Sequence, residues 1–170
     1  MNRRFECLFL HAADKVVSQS QYTTFVEVAI PDGVVGATEK FRNFDPNRIQ
    51  SFRVEENRVL LRLNLADFEQ SLREFKSTIE AFHYEVHHGT SEEVEVFTGF
   101  MYDDQLRTLQ FFVEGEQYLE DVSTEIIEAS LVMDAFYYQL YRGLQAKVIV
   151  QYIDGHSIKL LAQKEYSTLK

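Results

Sequence analysis

Three histidines, His83, His87 and His88, are the residues with the clearest potential for chemistry. A spacing of four brings His83 and His87 to one side of a helix, where two imidazoles can ligate a metal. The zinc-protease pattern needs a glutamate directly after the first histidine, but Tyr84 stands there and Glu85 follows. The simpler reading is solvated or partly packed imidazoles near a helix end, where a positive charge suits the dipole. Adjacent carboxylates recur at Glu55-Glu56, Glu92-Glu93, Asp103-Asp104 and Glu120-Asp121, and such pairs serve elsewhere as magnesium ligands or as acid and base. Each pair falls in an expected turn or loop, where water is the usual partner. The single cysteine, Cys7, lies in the apolar run Phe5 to Leu10 and is read as a buried thiol; alone, it makes no internal disulfide. The sequence contains no glycine-rich phosphate loop, no Gly-x-Ser-x-Gly elbow and no Cys-x-x-Cys. The expectation is therefore no catalytic residue, no metal and no cofactor, with function residing in binding.

For binding, the aromatic run Phe136-Tyr137-Tyr138, with Tyr141 and Arg142 close behind, offers rigid contact area at low entropic cost. Core packing competes for the same residues, because on a helix Phe136 and Leu140 share one face while Tyr138 and Arg142 share another. Acidic residues number 27 against 17 basic ones, for a net charge of -10, which favours solubility and repels a nucleic-acid backbone from most of the surface. A single narrow basic face remains compatible with that total, because local field governs contact. No apolar stretch approaches the roughly 18 residues of a membrane helix, and no signal-peptide succession opens the sequence, so a soluble intracellular protein is expected.

The chain that must position these groups has only two prolines and seven glycines and no low-complexity linker. Residues 4–10 read as a strand, 12–19 as a short helix, and 22–30 as a strand that stops at Pro31-Asp32-Gly33, where a hairpin should close. Residues 51–54 and 58–63 form a second hairpin across Glu55-Glu56-Asn57. Phe68, Leu72, Phe75, Ile79 and Phe82 then recur at steps of four and three, which predicts a helix from about Ala66 to at least Lys76, capped by Asn64 or Asp67. Residues 93–102 and 106–114 make a third hairpin around Asp103-Asp104-Gln105. Residues 123–132 fit neither strand nor helix period, 133–144 read as a helix, and 147–153 with 157–163 flank Asp154-Gly155, a strong short-turn signal. The fold class is α+β, with antiparallel hairpins and two amphipathic helices; parallel crossovers are not required.

The passage from Ser51 to Leu65, followed by the helix from Phe68 to Phe75, resembles the strand-hairpin-helix passage of the checkpoint sliding-clamp subunits, relatives of PCNA that form a three-subunit nuclear ring. The segment Thr124 to Leu140 resembles the strand-then-helix entry into that family's second domain. Together the two passages cover about half the chain. The resemblance implies a DNA-clamp-like first domain over residues 1–120. A partial second domain, or a helix-hairpin extension, would occupy 121–170, so the chain would end about halfway through a second domain that family members complete. It further implies a scaffold without chemistry on DNA. Arg73, Lys76 and Arg142 would face phosphates without sequence preference, Tyr137, Tyr138 and Tyr141 would meet protein partners, and strand edges would pair with homologous subunits. The candidate inner helix sets only Arg73 and Lys76 against Glu69 and Glu74, a thin basic lining. A nuclear location follows from the resemblance, and a cytoplasmic one without it. The competing expectation is an acidic adaptor, inhibitor or immunity-type protein that masks a basic partner surface. Neither reading calls for a membrane or a small-molecule substrate.

Overall fold

The structure, a computed structural model, describes residues 19–20, 23–35, 45–89, 95–115 and 122–168. The expected strand at 4–10, Cys7, Glu92-Glu93 and Glu120-Asp121 lie outside those residues. The chain is α+β and divides into two compact units. One holds residues 1–69 with 140–145, and the other residues 70–139 with 146–170.

The first unit contains β1 (Gln19–Ser20), β2 (Thr23–Pro31), a one-turn α1 (Asp32–Val35), β3 (Ile49–Glu55) and β4 (Arg58–Asn64). They form one sheet in the order β1-β2-β4-β3. The expected hairpin at Pro31-Asp32-Gly33 gives way to α1, and the ladder partner of β2 is β4. The Glu56-Asn57 hairpin is present as expected, joining β3 to β4. Alternation buries Val26, Val28 and Ile30 beside Val59, Leu61 and Leu63, which are their cross-strand partners. On the opposite face the Arg62 guanidinium lies 4.1 Å from the centre of the Phe25 ring, and Arg58 holds Glu55 at 2.7 Å.

Helix α2 (Leu65–His88) starts where Asn64 Oδ1 accepts the Asp67 N–H at 2.9 Å and the Asn64 amide returns a bond to the Asp67 carboxylate. It runs well past Lys76 and ends at Gly89, whose φ of 59° gives the left-handed cap that glycine adopts without strain.

The second unit carries β5 (Phe97–Tyr102), β6 (Thr108–Val113), α3 (Val122–Tyr141), β7 (Lys147–Asp154) and β8 (Leu160–Ser167), with sheet order β5-β6-β7-β8. The β6–β7 pair is parallel, so α3 is a crossover, which hairpins alone did not anticipate. Thr108–Val113 thus bond directly to Lys147–Asp154, and one sheet spans the expected domain boundary at 120. The ambiguous segment 123–132 is helical throughout, replacing the strand-then-helix entry of the clamp resemblance. The core is aromatic: the Phe82 ring of α2 meets Phe100 edge-on at 4.8 Å and Phe97 at 5.4 Å, while Phe111 stacks on Tyr152 at 5.3 Å. With Ile79 and Val86 on the same stripe, each buried side chain contributes about 1.5–3 kcal/mol.

Both turns in this sheet are longer than a two-residue hairpin and are built on aspartates. Asp103 accepts the N–H groups of Gln105 and Thr108 at 2.8 and 2.5 Å, and Asp154 accepts Ser157 N–H and O–H at 2.6 Å. The Ser157 bonds hold the Asp154 carboxyl below the usual range. Gly155 serves close approach, since a Cβ there would run into the Thr98 side chain; the positive φ, 57°, belongs to Ile158.

Candidate functional site

Among the described residues of the second unit, one acid is deeply buried. Glu128 is 2% exposed and lies on the face of α3 that also buries Thr124, Leu131 and Ala135. Helical spacing puts it there, and the parallel crossover lays that face over β7 and β8. Tyr152, from β7, donates its hydroxyl to Glu128 Oε2 at 2.5 Å, and Tyr166, from β8, donates to Oε1. Lys164 Nζ, also from β8, lies 2.9 Å from Oε2 and 3.2 Å from Oε1. Residues 152, 164 and 166 share one sheet face, because Val150 pairs with Lys164, Tyr152 with Ala162 and Val148 with Tyr166. Lys164 Nζ also sits 5.6 Å over the Tyr152 ring.

Each carboxylate oxygen thus receives two donors, which uses the usual acceptor capacity of Glu128. Burial, followed by the bond to Glu128, pushes the Tyr166 phenol up to about 12, so it is a donor at neutral pH and not a base. The arrangement joins α3 to the sheet and offers no open general acid or nucleophile. Thr124, one turn earlier, is 2% exposed, and its hydroxyl has no hydrogen-bond partner among the described residues. Gln139, at the other end of α3, is fully buried: its amide donates to the Leu106 and Lys147 carbonyls at 2.9 and 3.1 Å and accepts Lys147 N–H at 3.0 Å. Sequence reasoning missed Glu128, Lys164 and Tyr166. The available signal was a lone carboxylate on a stripe otherwise occupied by Leu131, Ala135 and other small or apolar residues.

The residues singled out from sequence are placed differently. Lys76 pairs with Glu80 at 3.5 Å, one turn along α2, and Arg73 is exposed on the same helix. Arg142 belongs to the first unit, whereas Arg73 and Lys76 belong to the second. Tyr141 is 5% exposed and stacks on Phe68 at 5.7 Å, so it serves the packing of its unit and not an open contact surface. Tyr137 stacks on Phe75 at 5.4 Å; burial, aided by Asp134, raises its phenol. Asp134 is itself raised by burial, against a bond from Thr78. Tyr137 and Tyr138 are both half-buried.

His83 and His87 do converge, with ring centres 4.2 Å apart, and Tyr102 meets His83 at a right angle at 5.7 Å. Burial first, then the neighbouring His87 and His88, lowers the His83 pKa. His88 turns away, stacking on Tyr84 at 3.9 Å and donating Nδ1–H to the Tyr84 carbonyl at 2.8 Å. Among the described residues no group of three or more His, Cys, Asp or Glu side chains is gathered for a metal.

No family model, curated protein or solved structure matches this chain. Among the described residues no helix is long and apolar enough to cross a membrane.

Proposed function

We propose that this chain is a non-catalytic binding scaffold that engages macromolecular partners through side-chain surfaces. The observation that carries the reading is the saturation of Glu128: this buried carboxylate already accepts four hydrogen bonds from three donor groups, Tyr152, Tyr166 and Lys164.

Two forms of scaffold remain, and the strand edges weigh between them. A clamp subunit would continue its ladders into neighbouring subunits. The edge strands β3, β5 and β8 each carry a register shift, between Ile49 and Ser51, between Phe97 and Gly99, and opposite Tyr152 and Ile153. Bulges of this kind, with charges such as Arg53 on β3 and Lys164 and Glu165 on β8, discourage ladder continuation. They favour an acidic adaptor or inhibitor that covers a basic partner surface, in keeping with the net charge of -10. The hairpin-helix passage β3-β4-α2 supports the other form, a nuclear checkpoint-clamp subunit whose Arg73, Lys76 and Arg142 meet DNA phosphates. Charge reversal at Arg73→Glu and Lys76→Glu separates the two. The adaptor form predicts unchanged binding of a basic peptide, and the clamp form predicts weakened association of the assembled complex with duplex DNA.

A further inference from the structure

We propose that His83 and His87 form a binding site for a divalent transition-metal ion on the C-terminal half of α2. The two side chains are four residues apart on a continuous helix, on one face, with ring centres at 4.2 Å. Metal–imidazole bonds of about 2.0–2.1 Å place two cis rings about 4.5 Å apart, centre to centre, at a tetragonal ion, and about 5.2 Å apart at a tetrahedral one. The observed 4.2 Å separation brings the two rings close enough to share one ion. Neutral imidazole nitrogens suit transition metals such as copper(II), nickel(II) and zinc(II), not magnesium or calcium, which require oxygen ligands.

Two further features suit the site. Tyr102, from β5, meets the His83 ring at a right angle and restricts its rotation, which lowers the ordering cost of binding. His87 is exposed and His83 half-buried, so an ion reaches both and retains water at its other positions. With two protein ligands the site is incomplete, and the remaining positions suit water or a donor from a bound partner.

The test is thermal unfolding of the full chain with copper(II), nickel(II) or magnesium chloride, together with copper electron paramagnetic resonance. Copper or nickel at about tenfold over its Kd should raise Tm by about 3–6 °C, while magnesium gives no shift. The copper spectrum should carry coupling to two imidazole nitrogens. His87→Gln, at an exposed position, should abolish both the shift and the two-nitrogen signature, and His88→Gln and His156→Gln should leave both intact. A wild-type chain with no shift at millimolar copper or nickel overturns the proposal. So does a His87→Gln chain that keeps the shift and the spectrum.

Discussion

Removing the carboxylate of Glu128 should destabilise the second unit by about 2–4 kcal/mol, and the three partners set that figure unequally. In Glu128→Ala the Tyr152 hydroxyl, on a residue 1% exposed, loses its acceptor in the interior, which costs about 1–3 kcal/mol. The deleted methylenes leave a small cavity worth about 1 kcal/mol more. Lys164 has a side chain 45% exposed and returns to water, and half-buried Tyr166 does so in part, so both add little. Glu128→Gln keeps the shape and an acceptor for Tyr152 but sets its amide N–H against other donors, at about 1–2 kcal/mol. In the opposite direction, Lys164→Met strands a buried anion on two phenols; solvent near Lys164 moderates the loss to about 1–2 kcal/mol. Urea unfolding followed by circular dichroism, with the slope unchanged, measures each value. The Glu128→Ala/Lys164→Met cycle should show coupling of about 1–2 kcal/mol. A Glu128→Ala chain within about 0.5 kcal/mol of wild type would refute the reasoning, because that is the scatter of an ordinary surface substitution.

Three further outcomes follow from neighbouring residues. The Tyr166 pKa is raised from its ordinary value near 10 to about 12, so the stability it contributes is complete below pH 10 and lost as pH rises through 12. Tyrosinate absorbance should show that late titration, and Glu128→Gln should move it down. Thr124→Val replaces a buried hydroxyl that lacks a partner among the described residues with a methyl of similar shape, and should raise stability by about 1 kcal/mol in urea unfolding. Gly155→Ala drives a Cβ into Thr98 and should lower Tm by about 2–4 °C, with Thr98→Ala in the same chain recovering most of the loss.

The parts of the fold that rest on short-range pattern were legible in the sequence. The stripe Phe68, Leu72, Phe75, Ile79 and Phe82 gives α2, the Asn64 cap gives its start, and the apolar runs around Glu56-Asn57 give the β3–β4 hairpin. The parallel crossover was not, because Ile126, Ile127, Leu131 and Val132 carry no clean period; α3 has a partly apolar outer surface, with Ile126 66% exposed. The Glu128 cluster was equally hidden, since its members come from a helix and two strands as many as 38 residues apart. Asp154-Gly155 signalled a turn correctly, but the aspartate acts by accepting Ser157 and the glycine by making room for Thr98. Of the residues expected from sequence to meet partners, Tyr141 shows how an aromatic at helical spacing is claimed by packing once a ring such as Phe68 lies beside it.

Fluorescence anisotropy of the purified chain, titrated in parallel against a labelled basic peptide and a labelled DNA duplex over a range of salt, tests the proposed role most directly. An acidic scaffold binds the peptide, loses affinity as salt rises, leaves the duplex unbound, and is indifferent to Arg73→Glu and Lys76→Glu. Duplex binding with a steep salt dependence, abolished by that charge reversal while the peptide stays free, would contradict it.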